Sequence, residues 1–297
     1  MAMDTRAAAA RVLADVLAGR SLNQALPTRV EQVSPRDRGL LRQLCYGSLR
    51  LAPRLLAILD QMLDKPLKDK DRDLQGLLLC GLYQLEATRI PDHAAVDATV
   101  AATRALKKQW ARGMTNAILR RYQREGEQLD RRLDEAAAHS HPRWLYQALQ
   151  RQWPEATAAI VEANNAQPPM TLRVNSAKVS RPSYLQQLAE RGIEATPGSL
   201  CPQAICLASP CDVGELPGFA DGLASVQDEA AQLAALLLDA QPGDRVLDAC
   251  AAPGGKSCHI LERQPALGEL VAMDIDAARL QRVRDNLARL GLNAHTI

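Results

Sequence analysis

Aromatic side chains are scarce in this 297-residue chain: one Phe (Phe219), three Trp and five Tyr. Its cores must therefore be built from Leu, Ala, Val and Ile. No apolar run reaches the roughly 18 residues that a membrane-spanning helix needs. The longest candidate, Leu77 to Leu85, is interrupted by Tyr83 and Gln84. The alanine-rich start carries Arg6, Arg11 and Asp15, which spoil the apolar centre of a secretion signal. A soluble, cytoplasmic protein is the expectation. The seven cysteines are odd in number and contain no CxxC pair. Cys201, Cys206 and Cys211 are evenly spaced but have no histidine companion, and structural zinc needs four convergent ligands. Free thiols in a reducing compartment and no metal are expected. His139 and His141, just before Pro142, read as a loop or helix start.

Two phosphate-binding patterns are also missing. A P-loop requires glycine five positions before the Gly-Lys-Ser of Gly255-Lys256-Ser257, and that residue is Cys250. The strict G-x-G-x-x-G dinucleotide pattern is absent too. The geometry that such motifs serve is nevertheless present. Arg245-Val246-Leu247 reads as a strand after the turn at Gln241-Pro242-Gly243-Asp244. Pro253-Gly254-Gly255 permits close backbone approach, and a helix beginning near Lys256 offers free N–H groups. A second strand, Glu269 to Met273, ends in Asp274, about 20 residues beyond the glycines, where a carboxylate can accept both hydroxyls of a ribose. An adenosine-type ligand without a pyrophosphate fits this spacing, and S-adenosyl-L-methionine is such a ligand.

Charge is balanced overall but divided along the chain. The first 140 residues hold 23 Lys and Arg against 17 Asp and Glu; the rest hold 13 against 17. A basic N-terminal half is a modest footprint for a polyanion, although a solvated helical surface has the same composition.

Residues 5–135 read as helical throughout, with apolar stripes at helical spacing and a mostly apolar central helix over Leu74 to Leu85. Asp92 is expected to cap one helix, and Gly113 to break the chain before another. Near His141 a small α+β block begins: a helix opened by Pro142, an alternating strand at Thr171 to Asn175, a helix over Ser183 to Arg191 ended by Gly192, and a strand at Ile205 to Leu207. Asp228 is expected to cap a helix that leads into the strand–turn–helix–strand unit. Domain boundaries are placed at 1–139, 140–225 and 226–297. The last block supplies only two strands and a third beginning at Thr296, so it is expected to be the start of a larger parallel sheet, with Arg245 to Leu247 as an open edge.

Asp248-Ala249-Cys250-Ala251-Ala252-Pro253-Gly254-Gly255-Lys256 resembles motif I of the RNA cytosine-5 methyltransferases. Leu172-Arg173-Val174-Asn175 is similar to that family's LRVN strand. Val226-Gln227-Asp228 with Gln232 resembles its VQDxASQ segment, with Ala231 in place of Ser. Gly113 to Arg121 in the helical half resembles a NusB-like RNA-binding domain. The combination resembles the bacterial enzymes that act on 16S ribosomal RNA, and it covers essentially the whole chain. The implied architecture is multidomain: an all-α NusB-like bundle, a small α+β middle domain and the start of a Rossmann-like α/β methyltransferase domain.

The resemblance implies a monomeric enzyme that moves a methyl group from S-adenosyl-L-methionine to C5 of a cytosine in 16S ribosomal RNA. C5 is a poor nucleophile, so a cysteine thiolate first adds to the neighbouring ring carbon, on a base splayed from its stack. The Pro-Cys motifs that carry the family's cysteines are not in this sequence. The nucleophile is expected beyond Ile297, and neither Cys250 nor Cys258 matches it. Cofactor contacts are expected from Cys250, Ala251, Ala252, Pro253, Gly254, Gly255 and Lys256, with Asp274 on the ribose. For Cys250 a small buried side chain is the reading preferred over a chemical role, while for Asp274 the cap of the next helix is the lesser alternative. Lys107, Lys108, Arg112, Arg120, Arg121 and Arg124 are candidates for RNA phosphates. Arg173 and Asn175 are candidates for positioning RNA beside the cofactor. Two other readings stay open: a non-catalytic RNA-binding protein, and a methyltransferase of small molecules or proteins that shares motif I.

Overall fold

The computed structural model describes residues 2–297. The chain forms two compact units, Met1–Ala166 and Gln167–Ile297.

The first unit is helical. Its elements are α1 (Thr5–Leu17), α2 (Leu22–Val30), α3 (Arg38–Arg50), α4 (Ala52–Asp60), α5 (Arg72–Ala87), α6 (Asp92–Ala105), α7 (Arg112–Asp130), α8 (Glu135–Ala138), α9 (Arg143–Gln152) and α10 (Thr157–Asn165). Asp4 opens α1 by accepting the Ala7 N–H at 2.9 Å, as an N-cap does. Small residues then let α1 lie close to α5. Ala7 to Ala10 are fully buried, and a Cβ on Gly76 would meet the Ala10 carbonyl oxygen at 2.4 Å. From Leu74 to Gln84 the central α5 is buried except at Gln75. Its one buried amide is satisfied. The Gln84 side chain donates to the Cys80 carbonyl and Thr99 Oγ1 and accepts from Arg6 Nε. Leu, Ala, Val and Ile dominate this core, as the shortage of aromatics requires.

Two details differ from the sequence reading. Gly113 does not break the chain: it lies inside α7, exposed, where one glycine is a tolerable cost. Asp92 is the first helical residue rather than the cap. Pro91 occupies the cap, and the Asp92 carboxylate accepts from Gln123.

The second unit carries two sheets. Its elements are β1 (Met170–Val174), α11 (Arg181–Glu190), β2 (Ala195–Pro197), β3 (Ala204–Leu207), β4 (Ala224–Val226), α12 (Glu229–Leu238), β5 (Arg245–Asp248), α13 (Gly255–Arg263), β6 (Glu269–Ala272), α14 (Ala277–Leu290) and β7 (His295–Thr296). The first sheet has the order β2-β3-β1-β4 and is antiparallel. One of its faces puts Leu172, Val174 and Ile205 against Tyr184 and Leu188 of α11. The second sheet is parallel, in the order β5-β6-β7. Leu270 and Ala272 of β6 face the helices, with Cys258 and Ile260 of α13 and Val283, Leu287 and Leu290 of α14. Strand alternation sends Leu247 the other way, and it is 60% exposed on the edge strand β5.

The boundary at 166/167 splits the block read from the sequence as residues 140–225. Helices α9 and α10 fold with the first unit, and the antiparallel sheet shares a unit with the parallel one. Two arginines tie these sheets together. Arg289 of α14 donates to the Phe219 and Ala224 carbonyls at 2.7 and 3.0 Å, and its guanidinium lies 4.4 Å from the centre of the Phe219 ring. Arg173 of β1 reaches α13, as described below.

Candidate cofactor site

The site is a turn between β5 and α13, held from three sides. At the end of β5, Asp248 accepts the Ser257 hydroxyl at 2.7 Å, which ties the strand to the first turn of α13. The Met273 N–H donates to the Asp248 carbonyl, and the Ala251 N–H donates to the Met273 carbonyl, so the ends of β5 and β6 stay in step. Ala252 N–H donates to Asp274 Oδ2 at 3.1 Å. Asn286 of α14 donates to the Pro253 carbonyl at 2.9 Å. The turn closes at Gly254, φ +97°, the N-cap of α13, which has no side chain to satisfy the helix start. The first N–H groups of α13 have no partners within the helix. A Cβ on Gly254 would sit 3.2 Å from Val283 Cα, so both conformation and space demand glycine.

The expected cofactor residues therefore form one continuous turn. Cys250, Pro253 and Lys256 are exposed, Gly255 and Ala252 are half-buried, and Ala251 and Gly254 are buried. The reading of Cys250 as a buried side chain is corrected: the chain leaves the sheet at this point, and the thiol faces solvent. Asp274 does not cap α14. Asp276 does, accepting the N–H groups of Ala278 and Arg279. Asp274 instead binds the turn. It also accepts the Asp276 N–H and lies 3.5 Å from Arg279 Nη1. The Asp276 N–H, the Ala252 N–H and the Arg279 charge hold its carboxyl below the usual carboxylate range. A residue that the sequence reading missed stands beside it: Ile275 is fully exposed. Its position directly after the strand-end acid was the available signal.

Arg173 and Asn175 are not where an RNA contact requires. Asn175 is buried, donating to the Gly222 carbonyl and accepting from Ala177 N–H. Arg173 is 1% exposed. It makes a two-pronged ion pair with Glu262 of α13, at 2.9 Å from Nε and 2.8 Å from Nη2, and also donates to the Gly255 carbonyl and to Gln227. The expectation is corrected for both residues: Arg173 lies on the face of β1 that α13 covers, and Asn175, just past the strand end, is held by the Gly222 carbonyl.

Beside this pair lies His259, 1% exposed, with neither ring nitrogen hydrogen-bonded. Burial, then the charges of Arg173 and Arg263, push its pKa down from 6.5 to about 3. The folded state thus keeps the ring neutral, while the unfolded chain takes up a proton below pH 6.5. The stability linked to His259 is complete above pH 6.5 and falls as pH drops toward 3, by about 1.4 kcal/mol per pH unit. A His259→Leu chain should therefore lose less stability between pH 6.5 and 4.5 than the unmutated chain in urea titrations. Equal losses would show that another group governs the acid limb.

On the helical unit, the basic candidates separate into free and engaged. Lys107, Arg112 and Arg124 are exposed, and half-buried Arg120 donates to Gln123. Arg121 is paired with Glu125 at 2.8 Å. Lys108 is held by Asp71 and Asp73 at 2.6 and 3.2 Å, which removes it from the free cations. Among the described residues no cluster of three His, Cys, Asp or Glu could hold a metal, and no helix is long and apolar enough to cross a membrane.

A helical bundle, a small antiparallel sheet and a parallel βαβ segment with this turn define a NusB-type domain joined to a methyltransferase-type fold. Family models agree: the NusB family matches residues 3–124, the RsmF/B-like ferredoxin-like domain matches 141–214, and the 16S rRNA methyltransferase RsmB/F family matches 235–297. The ribosomal RNA small subunit methyltransferases B of Pseudomonas syringae pv. tomato and Pseudomonas putida are each 54% identical over 99% of this chain, which covers 66% and 68% of their lengths. That of Vibrio cholerae is 50% identical, with 68% of it covered. The chain belongs to the ribosomal RNA small subunit methyltransferase B family and spans about two thirds of the length of these relatives. The crystal structure of PH0851 shares the fold across the whole chain, with a TM-score of 0.75 at 18% identity and 70% of that chain covered.

Proposed function

We propose that this chain carries the RNA-binding and cofactor-binding parts of an enzyme that methylates C5 of a cytosine in 16S ribosomal RNA, acting as a cytoplasmic monomer. The observation that carries the reading is the junction of the glycine turn with Asp274, through the 3.1 Å bond from Ala252 N–H. It supports reading Asp274 as a ribose acceptor beside a backbone that a ligand can approach closely. S-adenosyl-L-methionine fits the residues present. Asp274 would take the ribose hydroxyls, and the exposed face of Ile275 would lie against the adenine. The turn and the start of α13 would hold the methionine end, with exposed Lys256 near its carboxylate. When bound, the cofactor supplies an electrophilic methyl group.

On this reading the chain's own residues bind and orient; they do not attack. Cys258 is buried, and burial pushes its thiol up to about 11, so it holds no thiolate near neutral pH. Cys250 belongs to the cofactor turn. The thiolate that adds to the cytosine is assigned to neither. Lys107, Arg112, Arg120 and Arg124 would neutralise phosphates and position the RNA without reading its sequence.

Titration calorimetry with S-adenosylmethionine tests the proposal. The chain should bind, and Asp274→Ala should weaken binding by about tenfold or more, because a charged acceptor is lost. Equal affinity would remove Asp274 from the site. If the unmutated chain fails to bind while retaining 16S RNA fragments, the non-catalytic RNA-binding reading takes its place.

A further inference from the structure

We infer that Arg173 is a positioning residue for the cofactor turn: it fixes both ends of α13 from the neighbouring sheet and so sets the shape of the turn before any ligand arrives. The inference rests on the reading that this turn holds the cofactor. It begins with the two-residue period of β1. Leu172 and Val174 point into the core with Tyr184 and Leu188, so Arg173 must point to the opposite face, toward α13. An arginine buried there needs partners for a fork of five N–H donors, and α13 provides them at both ends. Gly255 is its first residue and offers a carbonyl at 2.9 Å. Glu262, in its last turn, offers both carboxylate oxygens. The remaining acceptor is Gln227, whose amide nitrogen in turn donates to the Ala231 carbonyl of α12.

One guanidinium thus joins the three segments Leu172–Asn175, Val226–Asp228 and Asp248–Lys256. Its grip on Gly255 acts one residue from Gly254, the left-handed corner of the turn. A turn held in its binding shape loses less freedom when a ligand binds, and this raises affinity without any direct contact. Lysine cannot replace it, since an ammonium cannot span Glu262 and Gly255 in one plane.

The test uses the full chain in three forms: Arg173→Lys, the charge-free pair Arg173→Met with Glu262→Met, and Leu188→Ala as a control that weakens the same unit from its other core. Two quantities are read besides the thermal midpoint: S-adenosylmethionine affinity, and hydrogen exchange of the Gly254–Ile260 amides without ligand. Both Arg173 forms should melt cooperatively, exchange these amides about tenfold faster and bind about tenfold more weakly, while Leu188→Ala lowers the midpoint and leaves both unchanged. Wild-type exchange in the Met pair would overturn the inference. So would equal changes in Leu188→Ala at a matched loss of midpoint. If the unmutated chain binds no S-adenosylmethionine, the cofactor reading fails, and the exchange of the ligand-free turn still decides the role of Arg173.

Discussion

Arg173→Ala should destabilise the Gln167–Ile297 unit by about 3–5 kcal/mol, the usual cost of leaving one member of a buried ion pair unpartnered. The size follows from what remains behind. Glu262 is 5% exposed at its side chain, against 1% for Arg173. Without the guanidinium its carboxylate keeps no direct ion pair, and only the charge of Arg289 still acts on it from further away. It must then take up a proton, draw in water or unfold α13. The Gly255 carbonyl and Gln227 lose a donor at the same time. Replacing both charges by methionine should cost much less than the single change, because well-packed apolar side chains of similar volume can substitute for a buried ion pair. Urea unfolding monitored on this unit distinguishes the cases. A loss below about 1 kcal/mol for Arg173→Ala, typical of exposed pairs, would mean that solvent reaches the pair freely.

Gly254→Val should abolish most cofactor binding, weakening it by about a hundredfold. Two penalties coincide there. The residue sits at φ +97°, a region that a β-branched side chain enters only at a cost of about 1–3 kcal/mol. Its new Cβ would also meet Val283 Cα, a backbone atom that cannot rotate away, at 3.2 Å. The turn must then move, carrying Ala252 away from Asp274 and the start of α13 away from its position. Gly243 provides the comparison. It too is left-handed, at φ +86°, but a Cβ there meets nothing within 4 Å. Gly243→Ala should therefore cost some stability and leave affinity near the unmutated value. If calorimetry finds the two variants equally good binders, the turn is not the cofactor site.

Much of this architecture was legible as local pattern. The helical stripes of residues 5–135 and the strand at Thr171 to Asn175 depend on periods that neighbouring residues set by themselves. Asp228 caps α12 by accepting the Ala230 and Ala231 N–H groups, as its position before an apolar run indicates. The turn at Pro253 to Gly255 was equally clear, because only glycine tolerates the backbone it needs. Other features could not be read in this way. Lys108 looks like a free cation in sequence and is held by Asp71 and Asp73, more than 30 residues earlier. Cys250 looks like a packed small residue and lies exposed. Arg173 looks like an RNA contact, yet it is buried against a glutamate 89 positions away. By itself the sequence determined most of the elements, some of their caps and the glycine turn after β5, since these follow from backbone preferences and from residues a few positions apart. Only the tertiary structure decided which charges remain free and which are consumed inside, because an ion pair depends on where separate segments meet, and no local period records that.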